Sequence, residues 1–156
     1  MKSNISDTKN QHNQVVGKVI KLFISQANNS SRVLKKNLSL DSAGVLTDKF
    51  YNKDTNRSVL ISSNESYNIA LNHNISMEDG ALGENILIDY NPYHLPVETQ
   101  IQIGEVILEI TQNCTLCKSL TKVNNKLPKI LKDDRGIFAK VVTSGYIYIG
   151  DEITIL

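Results

Sequence analysis

Hydrophobic and polar positions change rhythm several times along the chain, and each change marks an element. The first apolar run, Val15-Val16-Gly17-Lys18-Val19-Ile20-Lys21-Leu22-Phe23-Ile24, is β-branched and alternates in part before the loop residues Gln26-Ala27-Asn28-Asn29-Ser30-Ser31. It predicts a strand. Residues 1–14 ahead of it are polar and unpatterned, which predicts a mobile tail. The clearest alternation runs from Thr99 to Ile110, where two arms flank Gly104-Glu105 and predict a β-hairpin. Ala139 to Thr143, then Ser144-Gly145, then Tyr146 to Ile149 predict a second hairpin, and Gly150-Asp151 turns the chain into a last strand.

Shorter runs fill the middle. Arg57-Ser58-Val59-Leu60-Ile61-Ser62 and Ile86-Leu87-Ile88 read as strands. Between them, Ser63-Asn64-Glu65-Ser66 opens a helix with a polar cap and an acid in the first turn, and Tyr67, Ala70 and Leu71 should face the core. Residues 116–132 read as helical or irregular, interrupted by Pro128, and residues 32–53 have no clear pattern beyond a loop at Asp41-Ser42-Ala43-Gly44. Many short strands, Gly turns and a few helices predict a mainly β fold. The expected form is a closed or nearly closed β-barrel of short antiparallel strands, one domain spanning 15–156. No βαβ alternation calls for a parallel nucleotide-binding sheet.

Composition narrows the function classes. The 156 residues are 40% hydrophobic and 21% charged, with a net charge of +1, so no strong field would recruit nucleic acid or a membrane surface. No apolar stretch reaches the roughly 20 residues of a membrane span. The first residues lack the apolar segment of a signal peptide, and two cysteines cannot staple a secreted scaffold, so a reducing cytoplasm is expected.

Two segments carry candidate chemistry. Gly80-Ala81-Leu82-Gly83-Glu84-Asn85 leads into an apolar run, and its glycines and successive amides could cradle an anion, although by pattern alone a plain surface turn ranks ahead. Cys114-x-x-Cys117 holds the only soft metal ligands, and without a second Cys/His pair it is half a zinc site at most. A buried structural thiol beside an incidental one explains it as well. Arg57 and Arg135 could each meet a phosphate or carboxylate, or simply be solvated. Hydrolase signatures are absent.

In chain order these pieces resemble the MOSC domain family, named for the C-terminal domain of molybdenum-cofactor sulfurases. The matching positions are Gly44-Val45-Leu46-Thr47-Asp48, Arg57-Ser58-Val59, Glu65, Gly83-Glu84-Asn85-Ile86-Leu87, Leu95, Ile103-Gly104, Cys117, Leu120, Arg135-Gly136, Gly145 and Gly150-Asp151. The resemblance implies a β-barrel that binds the molybdenum cofactor (molybdopterin). Arg57, Gly83, Glu84, Asn85 and Arg135 would contact the cofactor, and Cys117 would be the molybdenum ligand and catalytic residue. It implies an oxidoreductase acting on N-hydroxylated compounds with an external electron donor. The other outcome is a non-catalytic sulfur carrier or cofactor-delivery module, with a persulfide on Cys117 exchanged with a donor or acceptor protein. Pyridoxal phosphate belongs to a separate domain of the sulfurases, and no site for it is expected here. Three positions depart from the pattern. Phe50 stands where many relatives have His, Cys114 adds a second thiol, and the Pro-Arg that often precedes the family cysteine is missing.

Overall fold

A computed structural model describes residues 13–26, 32–115 and 118–156. The tail predicted over 1–14 falls, up to residue 12, outside the described residues, as does most of the loop 26–31. The strands are β1 (Val15–Ser25), β2 (Arg32–Lys35), β3 (Asn37–Asp41), β4 (Gly44–Val45), β5 (Val59–Ser63), β6 (Ile86–Ile88), β7 (Gln100–Ile103), β8 (Val106–Asn113), β9 (Ile137–Thr143), β10 (Gly145–Tyr148) and β11 (Glu152–Ile155). The helices are α1 (Asn64–Asn72), α2 (Lys118–Val123) and α3 (Leu127–Ile130), with a 3-10 turn at Thr55–Arg57.

Seven strands close on themselves in the order β1, β11, β7, β8, β9, β5, β6 and back to β1, while β2 extends the far end of β1. A ring with an odd number of strands cannot alternate direction throughout, so at least one junction must be parallel. That junction is β5–β6, with Ile61 opposite Ile86 and Ser63 opposite Ile88. The closed barrel of short antiparallel strands expected from the sequence is present, with this one parallel pair as its exception. Parallel neighbours need a crossover, and α1 with residues 73–85 supplies one, so β5, α1 and β6 form a βαβ unit. This parallel seam, the only one among the described strands, is therefore what brings the Gly80–Asn85 turn onto the barrel wall.

Alternation then fills the inside. Val19, Leu22, Ile24, Val59, Ile61, Ile86, Ile88, Ile101, Ile103, Val106, Leu108, Ile110 and Ile153 form one buried cluster, joined by Leu38, Leu40, Val45 and Ile147 from the small sheet β10–β3–β4. Pairing is irregular within β1 and β8, the local bends that help a small sheet to curl shut. The predicted hairpin at 99–110 is β7–β8, with Ile103 opposite Val106.

The second predicted hairpin does not form. β9 pairs with β8 and β5, whereas β10 pairs with β3, Ile147 opposite Leu38. Gly145, at φ +154, swings the chain from the barrel to the small sheet instead of folding it back. The other edge of β10 is occupied by side chains: Tyr146 N–H donates to the Glu105 carboxylate (2.9 Å) and Tyr148 N–H to that of Asp151 (2.8 Å). Residues 32–53, unpatterned in the sequence, hold β2, β3 and β4.

A second cluster lies outside the barrel, where Ala70, Ile75, Leu82, Leu120, Leu127 and Leu131 pack the helices and the 75–82 loop together. Pro128 occupies the first turn of α3, so it starts a helix where an interruption was expected. Leu71, expected in the core, is 59% exposed. The helix ends one residue later, and Ile75 folds back in its place, its N–H donating to the Ala70 carbonyl (3.0 Å). Ser63 caps α1, accepting from the Glu65 N–H at 3.0 Å. Ser63→Ala should lower the unfolding free energy by about 1 kcal/mol, read from a denaturant melt. No described helix is long and apolar enough to cross a membrane.

Candidate functional site

Along β5 the side chains of Val59 and Ile61 enter the barrel, so those of Leu60 and Ser62 stand on the outer wall, roughly 7 Å apart along the strand. Leu60 and its register partner Phe138 on β9 join Cys114 in a small buried apolar cluster on that wall. This floor gathers much of what the sequence singled out. Gly83, at φ +82, faces Leu60, the one atom that a Cβ there would meet within 4 Å being Leu60 Cδ2 at 3.9 Å. Gly136, at φ +150, faces the same side chain from the opposite side, with a Cβ position 3.0 Å from Leu60 Cδ1. The Cys114 N–H donates to the Gly136 carbonyl (2.9 Å). Two glycines without side chains thus border this apolar cluster and make it the candidate cradle for a ligand.

Arg57 borders the cradle. It ends the 3-10 turn before β5, and its guanidinium lies 4.9 Å from the centre of the Phe138 ring. The ring holds the cation in place, yet the guanidinium makes no hydrogen bond or ion pair with a described residue. Its donors are therefore available in a fixed, half-buried position.

Arg135 is used differently. It is buried, and its Nη1 and Nη2 donate to the carbonyls of Thr115 (2.7 Å) and Pro128 (2.5 Å). Instead of lying open to an anion, this guanidinium ties the chain just before Cys117 to α3. Cys117 itself lies outside the described residues. Cys114, the extra thiol, is buried against Leu60 and Phe138.

Glu84 and Asn85 point away from the cradle, into the scaffold. Asn85 accepts the Leu60 N–H on Oδ1 (3.1 Å) and donates through Nδ2 to the Phe23 carbonyl (3.3 Å) and to Asp48 Oδ1 (3.2 Å). Its backbone bridges the same strands, N–H to the Leu60 carbonyl and C=O from the Phe23 N–H, each 2.8 Å. The side chain therefore caps the point where β1 and β5 diverge beside β6. Asp48 completes this seam by accepting from the N–H groups of Ser25 (2.7 Å) and Phe50 (3.0 Å). Phe50, in place of the His of many relatives, sits at the surface with Lys49 Nζ 5.1 Å from its ring centre.

Glu84 is fully buried. Its Oε2 receives hydrogen bonds from Ser62 Oγ (2.5 Å) and Tyr67 Oη, and burial raises its pKa above the usual glutamate range. Burial, with the neighbouring Glu84 carboxyl, also holds the Tyr67 phenol well above its ordinary value. Sequence reasoning missed Leu60, Phe138, Ser62, Tyr67 and Arg32. For Leu60 a signal existed. Val59-Leu60-Ile61 is apolar without alternation, the mark of a strand covered on both faces.

The class defined by these features is a small closed β-barrel with a glycine-lined, arginine-edged cradle on its outer wall. The chain belongs to the MOSC domain family, whose model matches residues 32–154. Among solved structures it is similar to the YuaD protein of Bacillus subtilis (19% identity, 89% of this chain and 94% of that one, TM-score 0.78). It is also similar to YiiM of Geobacillus stearothermophilus (14% identity, 92% and 74% covered, TM-score 0.66). YiiM of Escherichia coli gives 13% identity, 89% and 69% covered, and a TM-score of 0.67. No protein of curated function matches the chain.

Proposed function

We propose that this chain binds the molybdenum cofactor in the cradle over Leu60 and Phe138, with Cys117 as thiolate ligand to molybdenum. On this reading it is an oxidoreductase that reduces N-hydroxylated compounds. The observation that carries it is Arg57, a guanidinium fixed over Phe138 beside two glycines, with donors that no described residue uses. A molecule with a terminal phosphate and a flat heterocycle fits a cationic edge, an apolar floor and glycines that permit close approach.

The residues divide the work. Arg57 takes the phosphate, and the Gly83 and Gly136 backbones admit the ring system. Arg135 holds the Thr115 and Pro128 carbonyls, and so fixes the chain two residues before Cys117. Glu84 and Asn85 shape the turn from behind. When bound, the cofactor supplies a two-electron redox centre. Reduction of an N-hydroxylated substrate consumes two electrons and two protons, breaks the N–O bond and releases water. The electrons would come from a partner, since the chain lacks the four-Cys pattern of an iron–sulfur cluster.

Protein purified from a host that makes the cofactor is expected to carry molybdenum and pterin. Arg57→Ala should retain about tenfold less pterin, the loss of one charge-assisted contact, and Cys117→Ser should lose activity. Wild-type protein free of pterin and molybdenum would remove the reading. Loaded protein that cannot reduce a hydroxylamine with a competent donor, and carries a persulfide on Cys117 by mass spectrometry, would establish the sulfur carrier instead.

A further inference from the structure

Behind Gly83 lies a polar cluster that the proposed cofactor contacts do not use. Tyr67 Oη, on α1, accepts the Gly80 N–H (3.0 Å) and donates to Glu84 Oε2. Arg32, on β2, donates through Nη2 to the Glu84 carbonyl and through Nη1 to Ser25 Oγ. Its methylenes also pack on Gly80, with Cγ 3.3 Å from where a Cβ would stand, and Gly80 has φ +91. The Gly80–Glu84 turn is thus gripped at both ends, by Tyr67 from the crossover helix and by Arg32 from a strand outside the crossover. A turn that only closed a loop would need neither grip, because the Gly83 N–H already reaches the Gly80 carbonyl (3.0 Å).

We propose that Tyr67, Glu84 and Arg32 form a buried clamp that positions the Gly80–Gly83 turn for ligand capture. Tyr67 and Glu84 are then positioning residues of the cofactor site, an assignment that rests on the function proposed above. Burial biases the Glu84 carboxyl toward its neutral form, while the Ser62 and Tyr67 hydrogen bonds and the Arg32 charge oppose that bias. Its Oε1 and Arg32 Nε are buried atoms without a partner among the described residues, so the guanidinium does not pair with the carboxyl. An ionised carboxylate there would leave Oε1 without a hydrogen-bond donor from the described residues, with Arg32 easing the charge only through space. The titratable and charged groups facing it are Arg32 from β2, Tyr67 from α1 and Tyr93 from the loop after β6, with Asp48 acting on Arg32.

The sign of the pH effect follows. A carboxyl whose pKa is raised by folding contributes its stability below the unfolded value and loses it as pH rises through the folded value. Wild type should therefore weaken relative to Glu84→Gln as pH rises from the acid range through that value. Glu84→Gln keeps the size and the acceptor but cannot ionise.

Amide exchange by mass spectrometry, at several pH values and without cofactor, tests the clamp in wild type, Tyr67→Phe and Glu84→Gln. Tyr67→Phe is expected to speed exchange across 80–85 about tenfold or more, the loss of the two hydrogen bonds that Tyr67 Oη makes with Gly80 and Glu84, with the β7–β8 hairpin unchanged. Its pterin retention should fall by a similar factor in protein made where the cofactor is available. Glu84→Gln should exchange like wild type at acid pH and more slowly than wild type as pH rises. Exchange that speeds up uniformly over the barrel in Tyr67→Phe, or does not change over 80–85, overturns the clamp. Local loosening with undiminished pterin retention also overturns it. Wild-type protein without pterin sinks the cofactor reading instead, while the exchange data still report on the turn.

Discussion

Asn85→Ala is expected to lower the unfolding free energy by about 3–5 kcal/mol and the melting temperature by roughly 10–20 °C. The loss comes from the partners left behind more than from the removed side chain. The Leu60 N–H and the Phe23 carbonyl each lose the amide that satisfies them where β1 and β5 part. Both residues are at least nine-tenths buried, so water cannot easily take over. An unsatisfied buried group costs about 1–3 kcal/mol. Asp48 loses less, because the Ser25 and Phe50 N–H groups still bind its carboxylate. Asn85→Asp gives a sharper comparison. It retains the acceptor for Leu60 but loses the donor and sets a second carboxylate against Asp48, so it should be at least as damaging at neutral pH. A denaturant melt of Asn85→Ala within about 1 kcal/mol of wild type would show that the seam does not depend on this amide.

Gly136→Ala is expected to cost about 2–4 kcal/mol and to reduce pterin retention about tenfold or more. At φ +150 an alanine is strained, and its Cβ would stand 3.0 Å from Leu60 Cδ1 and 3.1 Å from the Ile61 carbonyl oxygen. Leucine can rotate away, but a backbone carbonyl in β5 cannot. Gly83→Ala is the natural control. It also puts a methyl group into the cradle, yet meets only Leu60 Cδ2 at 3.9 Å, so its stability cost should be about 1 kcal/mol from the positive φ alone. If both variants lose pterin while only Gly136→Ala melts early, the loss belongs to the cradle. Retention of pterin by both would move the ligand elsewhere.

The sequence was most legible where partners are close in the chain. The β7–β8 hairpin has its turn and both arms within a dozen residues, and the alternation shows them directly. Residues 32–53 were opaque because β3 and β4 are only five and two residues long, and β3 finds its other partner, β10, about a hundred positions later. For the same reason β10 read as the return arm of β9, since nothing local distinguishes a strand that folds back from one that changes sheets. Leu71 follows the helical period, but the helix stops before that period can be used.

The candidate site was half legible. Residue type alone marked Arg57, the glycines and Arg135 as unusual. It could not tell an arginine spent on two carbonyls from one held open over a ring. Glu84 and Asn85 drew notice as possible ligands, and their side chains turn out to be committed to the scaffold behind the turn. That commitment depends on Tyr67, Ser62, Phe23 and Asp48, contacts across sequence separations of 17 to 62 residues that no local pattern records.

The carboxylates of Glu105 and Asp151, placed on the outward N–H groups of β10, bear on how the protein behaves in a crowded solution. A short sheet ending in a strand with Tyr146 and Tyr148 half-exposed would otherwise offer a template for a strand from another copy. With both N–H groups already taken by negative charges, an incoming backbone finds no donors and meets repulsion. The chain thus carries its own guard against edge-to-edge association, and the small sheet can stay narrow without becoming a seed for aggregation.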